Sequence, residues 1–355
     1  MTAYFALSDV LRSEVDLRLR AFVDRQRPLA GAAELSPLFA AMDDFLAAGK
    51  RLRPAFCYWG WRAAGGGDDP AVVTAAASLE LLQASALIHD DVMDASDLRR
   101  GRPAVHRRFQ AMHEGAGWRG SAAQFGEGAA VLLGSLLLVW SAEMWRGSGL
   151  PPEALAAAEP IHDLMRTELM FGQYLDLLEQ AQGESTFESA LRVALHKSGK
   201  YSVEQPLRLG LVLAARAQEA WIDRLCVEYG QKVGIAFQLR DDVLGVFGDP
   251  AETGKPAGDD LREGKRTMLI ARTLSTASAE QAADVRLLLG DPELDAAGIE
   301  RLRAIIEDTG ALAASEEMIK RYLDDALNSL ERAPVTPEAH EALTQLAVAA
   351  TSRRS

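Results

Sequence analysis

The sequence predicts an all-α protein, and three observations support this fold class. Apolar residues recur at steps of three and four, which is the period of an amphipathic helix. The alternation of apolar and polar residues that is typical of strands is absent. Ala, Leu, Glu and Arg, all good helix formers, dominate the composition. The 355 residues are 48% hydrophobic, so we expect one large helical bundle, a single domain over residues 1–355.

Helices are predicted wherever this period persists between turn signals. They cover residues 8–25, 36–48, 51–64, 70–95, 119–146, 152–182, 187–216, 218–246, 267–276, 279–290, 297–308, 311–331 and 337–350. Glycine and proline mark the breaks, as at Gly65–Gly67 and Pro151–Pro152. The longest irregular stretch runs from Gly248 to Gly264 and is rich in charge, which is typical of functional loops.

Charge and cysteine content limit the class of protein. A formal net charge of −13 disfavours binding to phosphate backbones, so we expect no nucleic-acid partner. Cys57 and Cys226 lack metal-ligand or CxxC spacing, which fits a reduced, cytoplasmic location. The N-terminus lacks the pattern of a signal peptide. The most apolar stretch, 129–142, is shorter than the roughly 20 residues that span a bilayer, so we expect a buried helix and no transmembrane segment.

A first acidic cluster ends the predicted helix 70–95. Leu79, Leu82, Ala86, Asp90 and Asp94 follow at steps of three and four, so they lie close to one helix face. An inward-facing apolar stripe therefore ends in carboxylates that are one turn apart.

Asp91 adds a third carboxylate to this cluster, and a basic turn, Arg99-Arg100-Gly101, follows at once. Unpaired carboxylates at this spacing repel one another, and a hard divalent cation such as Mg²⁺ would relieve the repulsion. A solvated acidic helix end is the alternative interpretation of a lone DDxxD motif. The apolar stripe and the arginines favour instead a site for a metal and a highly charged anion such as diphosphate.

A second acidic cluster repeats the pattern about 150 residues later. Val233, Phe237, Asp241 and Leu244 form another apolar stripe that ends in carboxylates, with Asp242 adjoining. A charged loop with Lys255, Lys265 and Arg266 follows. Two such helices facing each other would form a polynuclear Mg²⁺ site at the mouth of a central apolar cavity.

Several motifs in order give the sequence a resemblance to the polyprenyl synthetase family, which includes farnesyl and geranylgeranyl diphosphate synthases. The motifs are GKRLRP at 49–54, DDVMD at 90–94, RRGRP at 99–103, GQYLDL at 172–177, KSGKYS at 197–202, QLRDD at 238–242 and TGKPAGDDLREGKRT at 253–267. Each motif is weak alone, but their order is specific. The resemblance implies the isoprenoid synthase fold, with a motif-bearing core at about 36–331.

The resemblance implies roles for individual residues. The residues similar to Mg²⁺ ligands are Asp90, Asp94 and Asp241, with Asp91 and Asp242 as their neighbours. Those similar to the isopentenyl diphosphate site are Lys50, Arg53, Gln83 and Arg100. Those similar to contacts of the allylic diphosphate are Arg99, Lys197, Gln238, Lys255 and Lys265. Positions around the condensing carbons are Asp176, Ser198, Tyr201 and Phe237.

The activity implied is a Mg²⁺-dependent condensation of isopentenyl diphosphate with an allylic diphosphate in a homodimer. The released diphosphate would accept the proton, and a dry cavity would protect the allylic cation. Ser85 and Ala86 are small and Leu82 lies one turn deeper, so the wall of the cavity admits a growing chain. We expect a geranylgeranyl product, with farnesyl or longer products as alternatives. Helix 129–142 is the candidate dimer interface.

Some residues depart from the family pattern. Gly245 stands where a third aspartate is frequent, Ser198 where threonine is usual, Gln83 where many relatives have histidine, and Ser135 where aspartate is frequent. Two other functions stay open at this point. A class I terpene cyclase also uses aspartates and Mg²⁺, but this function does not explain the presence of Lys50 and Arg53. A non-catalytic subunit of a heteromeric synthase tends to lose the aspartate pairs that are present here.

Overall fold

A computed structural model describes residues 2–31, 33–183, 186–215, 217, 219–249 and 258–352. Within these ranges the regular structure is helical apart from one two-stranded hairpin, so the predicted all-α class is confirmed. The hairpin pairs β1 (Leu98–Arg99) with β2 (Arg102–Pro103) in antiparallel register.

The α-helices follow the predicted order closely. They are α1 Thr2–Ala30, α2 Ser36–Leu46, α3 Leu52–Ala63, α4 Pro70–Met93, α5 Val105–Gly115, α6 Ala122–Arg146, α7 Pro152–Gln182, α8 Phe187–Ala194, α9 Gln205–Ala215, α10 Ala220–Leu225, α11 Lys232–Phe247, α12 Asp259–Arg262, α13 Met268–Thr276, α14 Ala279–Leu288, α15 Ala296–Asp308, α16 Ala311–Leu330 and α17 Pro337–Thr351. A 3₁₀ turn, Ala33–Leu35, precedes α2, and π-helical segments at Leu195–Glu204 and Cys226–Gln231 precede α9 and α11.

The chain divides into two compact units. The first unit comprises residues 1–159, 206–218 and 335–342, and the second comprises 160–205, 219–334 and 343–355. Our assignment of residues 1–355 to a single domain stays a prediction.

Helix α4 forms the centre of the first unit and packs against α1, α3 and α6. Its apolar positions, including Leu79, Leu82 and Ile88, are fully buried. Helix α9 approaches α3 backbone to backbone, because a Cβ atom at Gly210 would lie 1.8 Å from the Cys57 carbonyl oxygen. Only glycine permits this approach, which closes the core beside α4.

Helix α11 is the corresponding element of the second unit. It packs against α16 and against the π-helical segment Leu195–Glu204. Two apolar clusters flank it, one around Leu269, Leu302 and Ile305 and the other around Leu239 and Ile319. The second acidic cluster therefore lies on a helix that is fixed by packing on several sides.

The sequence did not predict helix α5, the hairpin, the 3₁₀ turn Ala33–Leu35 or the short helix α12. Helix α12 lies within Gly248–Gly264, the stretch that was expected to be irregular. Helix α5 was missed because two of its buried positions are His106 and His113, which an apolar pattern does not register. The hairpin was missed because each of its strands has only two residues. Its turn residues Arg100 and Gly101 have φ angles of 54° and 73°, the conformation that a tight hairpin turn requires.

The prediction that stretch 129–142 is buried holds for one face of the helix only, which includes Leu133 and Leu137. The stretch lies within α6, whose most apolar 18-residue window has a mean hydropathy of 1.6 and is only 28% buried. The matching window of α4 is 72% buried, as a core helix should be. Both helices are long and apolar enough to cross a membrane. Burial within the fold explains the apolar composition of α4, but not that of α6. The α6 face with Leu132, which is 70% exposed, needs another explanation.

Candidate active site

The first acidic cluster lies at the C-terminal end of α4. The helix begins at the Asp69 side chain, which accepts a hydrogen bond from the Ala71 amide at 2.8 Å. It ends at Met93, and the Asp94 amide donates to the Asp90 carbonyl at 2.8 Å. Asp90 and Asp91 are buried in the last turn, where the helix dipole disfavours negative charge. The cluster therefore needs positive charge from elsewhere.

Arg99 supplies positive charge to this cluster. Its Nε donates to Asp91 Oδ1 at 2.8 Å, and its Nη2 lies 3.4 Å from Asp90 Oδ2. The hairpin positions Arg99 by pairing it with Arg102. The structure thus brings Arg99 to two of the three carboxylates of the first acidic cluster, Asp90 and Asp91. These hard oxygen donors fit Mg²⁺, which binds a few carboxylates together with phosphate oxygens.

Arg100 turns towards the loop that carries Lys50. Its Nη1 donates to the Ala48 carbonyl at 2.6 Å and to the Phe45 carbonyl at 3.2 Å. Lys50 is exposed, and Arg53 is partly buried in the first turn of α3. The structure thus brings Arg100 to the segment that bears the other two predicted isopentenyl diphosphate cations. Gln83 is partly buried on α4.

The predicted chain-length residues differ in their access to solvent. Ala86 is partly exposed, whereas Ser85, Leu82 and Leu79 are fully buried. Ser85 Oγ has no hydrogen-bond partner within the described ranges. Ala86 is therefore the better candidate for a position that a bound chain can touch, with Leu82 behind it.

In the second unit a π-helical segment carries Lys197, Ser198 and Tyr201. Lys197 Nζ donates to Asp176 Oδ2 at 2.6 Å, so this cation pairs with a carboxylate from α7. Ser198 is partly exposed and Tyr201 is buried. No sequence pattern indicated π-helical geometry here, although such geometry occurs frequently at functional sites.

Two glycines fix the position of this segment. A Cβ atom at Gly172 on α7 would lie 2.4 Å from the Lys197 amide nitrogen. A Cβ atom at Gly234 on α11 would lie 2.6 Å from Gly199 Cα. Backbone contact on both sides leaves the segment little freedom, which holds Lys197 in place.

The second acidic cluster lies on α11, one turn after the buried Phe237. Asp241 is partly exposed, whereas Asp242 is 3% exposed. Gln238 Nε2 donates to Asp242 Oδ1 at 2.7 Å. Burial raises the pKa of Asp242 to about 8, although hydrogen bonds from Gln238 and the Met268 amide oppose this shift. Asp241 is therefore more available than Asp242 as a metal ligand. The Gln238 side chain is hydrogen-bonded to Asp242.

Asp260 occupies the space that Gly245 leaves open. A Cβ atom at Gly245 would lie 1.7 Å from Asp260 Oδ2. Lys265 Nζ lies 3.4 Å from Asp260 Oδ1 and also pairs with Glu263. Asp260 was missed by the sequence reasoning, although the pair Asp259-Asp260 next to Lys265 was a possible signal.

Some predictions about the site remain predictions. Lys255 lies outside the described residues. The predicted pairing of the two acidic clusters concerns both units and stays a prediction.

Ser135 is one of the residues that depart from the family pattern. Its Oγ donates to the Val131 carbonyl of its own helix at 2.8 Å.

Comparisons with known proteins agree with these features. The polyprenyl synthetase family model matches residues 36–306. A geranylfarnesyl diphosphate synthase of Aeropyrum pernix is 33% identical over 84% of this chain and 89% of that protein. A geranylgeranyl diphosphate synthase of Saccharolobus solfataricus is 32% identical over 87% of this chain and 88% of that protein.

A solved structure is also similar over nearly the whole chain. It is a geranylgeranyl pyrophosphate synthase from Corynebacterium glutamicum, complexed with isoprenyl diphosphate and magnesium. The TM-score is 0.93 at 38% identity, and the match covers 98% of this chain and 99% of that chain. The likeness supports the all-α fold.

The raised pKa of Asp242 predicts a pH-dependent stability. Because its folded-state value of about 8 exceeds the ordinary 3.8, its stabilising contribution is complete below pH 3.8 and is lost as the pH rises through 8. We expect Asp242→Asn to raise the Tm of metal-free protein at about pH 9, and to do so less at about pH 5. Differential scanning fluorimetry measures this. The surface variant Asp284→Asn should change Tm equally at both pH values, and an equal change for Asp242→Asn would contradict the prediction.

Proposed function

This chain belongs to the polyprenyl synthetase family, and on that premise we propose that it is a Mg²⁺-dependent synthase of geranylgeranyl diphosphate. The chain is a prenyltransferase that lengthens an allylic diphosphate with isopentenyl diphosphate. The observation that carries the proposal is the buried pair Asp90 and Asp91 held by Arg99 at the end of α4.

The acidic residues are proposed to bind the metal. Asp90 and Asp94 in the first unit, and Asp241 in the second, would hold Mg²⁺. When bound, Mg²⁺ neutralises the diphosphate and makes it a better leaving group. The magnesium in the Corynebacterium glutamicum structure supports this choice of ion, and a Caulobacter crescentus polyprenyl synthase is complexed with calcium.

The basic residues are proposed to bind the two diphosphates. The residues proposed to hold the allylic diphosphate are Arg99, Lys197, Lys265 and Lys255, which lies outside the described residues. The C–O bond breaks, the diphosphate group leaves with the electron pair, and the remaining hydrocarbon is the allylic cation. Lys50, Arg53 and Arg100 would hold isopentenyl diphosphate so that its double bond meets this cation. The contact of Arg100 with the loop before Lys50 supports this second group.

The product length is inferred from the α4 residues that precede Asp90, which we propose to line the cavity for the growing chain. The small, partly exposed Ala86 admits a chain beyond farnesyl length, and the buried Leu82 lies one turn deeper. Farnesyl diphosphate and longer products are the alternatives, since the similar proteins include geranylgeranyl and geranylfarnesyl synthases.

The exposed apolar face of α6 supports a homodimer. Leu132 and Val139 are 70% and 62% exposed on a helix whose length and hydropathy would suit a membrane. A second copy of the chain would cover this face, as we expected for stretch 129–142. We also propose a cytoplasmic location, which the two free, buried cysteines Cys57 and Cys226 support.

Removal of metal should abolish product formation. Chelation with EDTA should stop elongation and added Mg²⁺ should restore it, because the diphosphate leaves poorly without neutralisation. Asp90→Asn should lower kcat about 100-fold or more and reduce the Mg²⁺-dependent rise of Tm in the presence of inorganic diphosphate. Asp97→Asn, which loses a surface pair with Arg107, serves as the control and should keep its activity. Full activity of Asp90→Asn would refute the proposed ligand.

Replacement of Ala86 by phenylalanine should shorten the product. The ring would project into the space next to the aspartates, so farnesyl diphosphate should replace geranylgeranyl diphosphate in product chromatography. Thr74→Phe adds the same ring near the start of α4 and should leave product length unchanged. An unchanged product from Ala86→Phe would remove this residue from the wall.

A charge on the α6 face should separate the proposed dimer. Leu132→Glu should halve the mass observed by sedimentation velocity, because a buried carboxylate without a partner is costly. Leu287→Glu changes a residue that is 77% exposed on α14 and should keep the wild-type mass. A dimer that persists in Leu132→Glu would exclude this face as the interface.

A further inference from the structure

Arg51 is a buried arginine next to the proposed isopentenyl diphosphate cations. It directly precedes α3, between Lys50 and the helix, and its side chain is only 5% exposed. Its φ angle is 54°, in the left-handed region that residues other than glycine rarely adopt. Such a conformation persists only where the surroundings fix it.

The surroundings of Arg51 are two carboxylates from different helices. Nε donates to Asp16 Oδ1 on α1 at 2.7 Å, and Nη1 donates to Glu80 Oε2 on α4 at 2.8 Å. Glu80 is itself buried and lies on the same helix as Asp90. The guanidinium therefore joins the start of α3 to two core helices through charge-assisted hydrogen bonds.

The same guanidinium also holds the loop that precedes it. It donates to the carbonyls of Leu46 and Ala48, the latter at 3.3 Å. The Ala48 carbonyl accepts a second hydrogen bond from Arg100, at 2.6 Å. A Cβ atom at Gly49 would lie 2.8 Å from Arg51 Nη1, so the arginine fills the space beside this glycine. Arg51 thus fixes the position of the Ala48 carbonyl, to which Arg100 also donates a hydrogen bond.

We propose that Arg51, anchored by Asp16 and Glu80, is a positioning residue for the isopentenyl diphosphate site. It sets the places of Lys50, Arg53 and Arg100 without contacting the substrate, because its donors are directed at carboxylates and carbonyls inside the fold. The inference rests on the function proposed above, which assigns those three cations to isopentenyl diphosphate. Displacement of such groups by about 1 Å is enough to make a binding site less effective.

The test compares the KM values for the two substrates, isopentenyl diphosphate and the allylic diphosphate. Arg51→Lys keeps the charge but loses the planar fork that joins both carboxylates. We expect its KM for isopentenyl diphosphate to rise about tenfold, with the allylic KM and kcat changed less than about twofold. Calorimetric titration with isopentenyl diphosphate alone, which cannot react without the allylic substrate, should show the same loss of affinity.

Glu80→Gln provides a second route to the same answer. It keeps the shape of the side chain and removes one anchoring charge, so it should raise the same KM selectively even if Arg51→Lys does not fold. Arg62→Lys is the matched control, because Arg62 on α3 also joins two carboxylates, Asp68 and Glu338. It should leave both KM values unchanged.

The outcomes distinguish this inference from the proposed function. A wild-type protein that forms no elongated product would refute the function. A wild-type protein that elongates, with variants in which Tm falls but both KM values stay equal to wild type, would refute the positioning role. Equal rises in both KM values would refute it too, since they would show a general distortion of the fold.

Discussion

Carboxylates at the C-terminal end of a buried helix are the constraint on which the first unit depends. The helix dipole, mutual repulsion and burial all disfavour ionised Asp90 and Asp91 in the last turn of α4. Arg99 offsets this cost only because a short hairpin returns the chain towards the helix end. Local structure that looks incidental in the sequence is therefore needed for the electrostatics of the site.

The second unit meets a similar constraint in a different way. Asp242 is so well buried that its pKa rises to about 8, and Gln238 and the Met268 amide bond to it. Asp260 brings another carboxylate against Gly245, with Lys265 beside it. Among the described residues the cluster thus combines burial, hydrogen bonds and the ammonium group of Lys265. Asp260 thus brings a carboxylate into the space that a side chain at position 245 would occupy.

The sequence predicted what depends on period and order. The stripe from Leu79 to Asp90 followed from helical spacing, and the structure confirms that Leu79, Leu82 and Asp90 are buried. Helix α5 was not predicted because histidines occupy two of its buried positions. The partners of Arg51 escaped because Asp16 and Glu80 are remote in sequence, and only tertiary packing brings them together. The exposure of α6 escaped because an apolar pattern does not reveal what covers it.

The Arg51 network is better explained by geometry than by stability. A buried ion pair gives up hydration of both partners, and apolar residues of similar volume often stabilise a fold equally well. Apolar residues could not, however, donate hydrogen bonds to the Leu46 and Ala48 carbonyls or hold the backbone at a positive φ angle. The directional bonds fix one arrangement of the loop among several that packing alone would allow. A loop that carries Lys50 and supports Arg100 gains from such a fixed arrangement, because oriented charges bind an anion without further ordering.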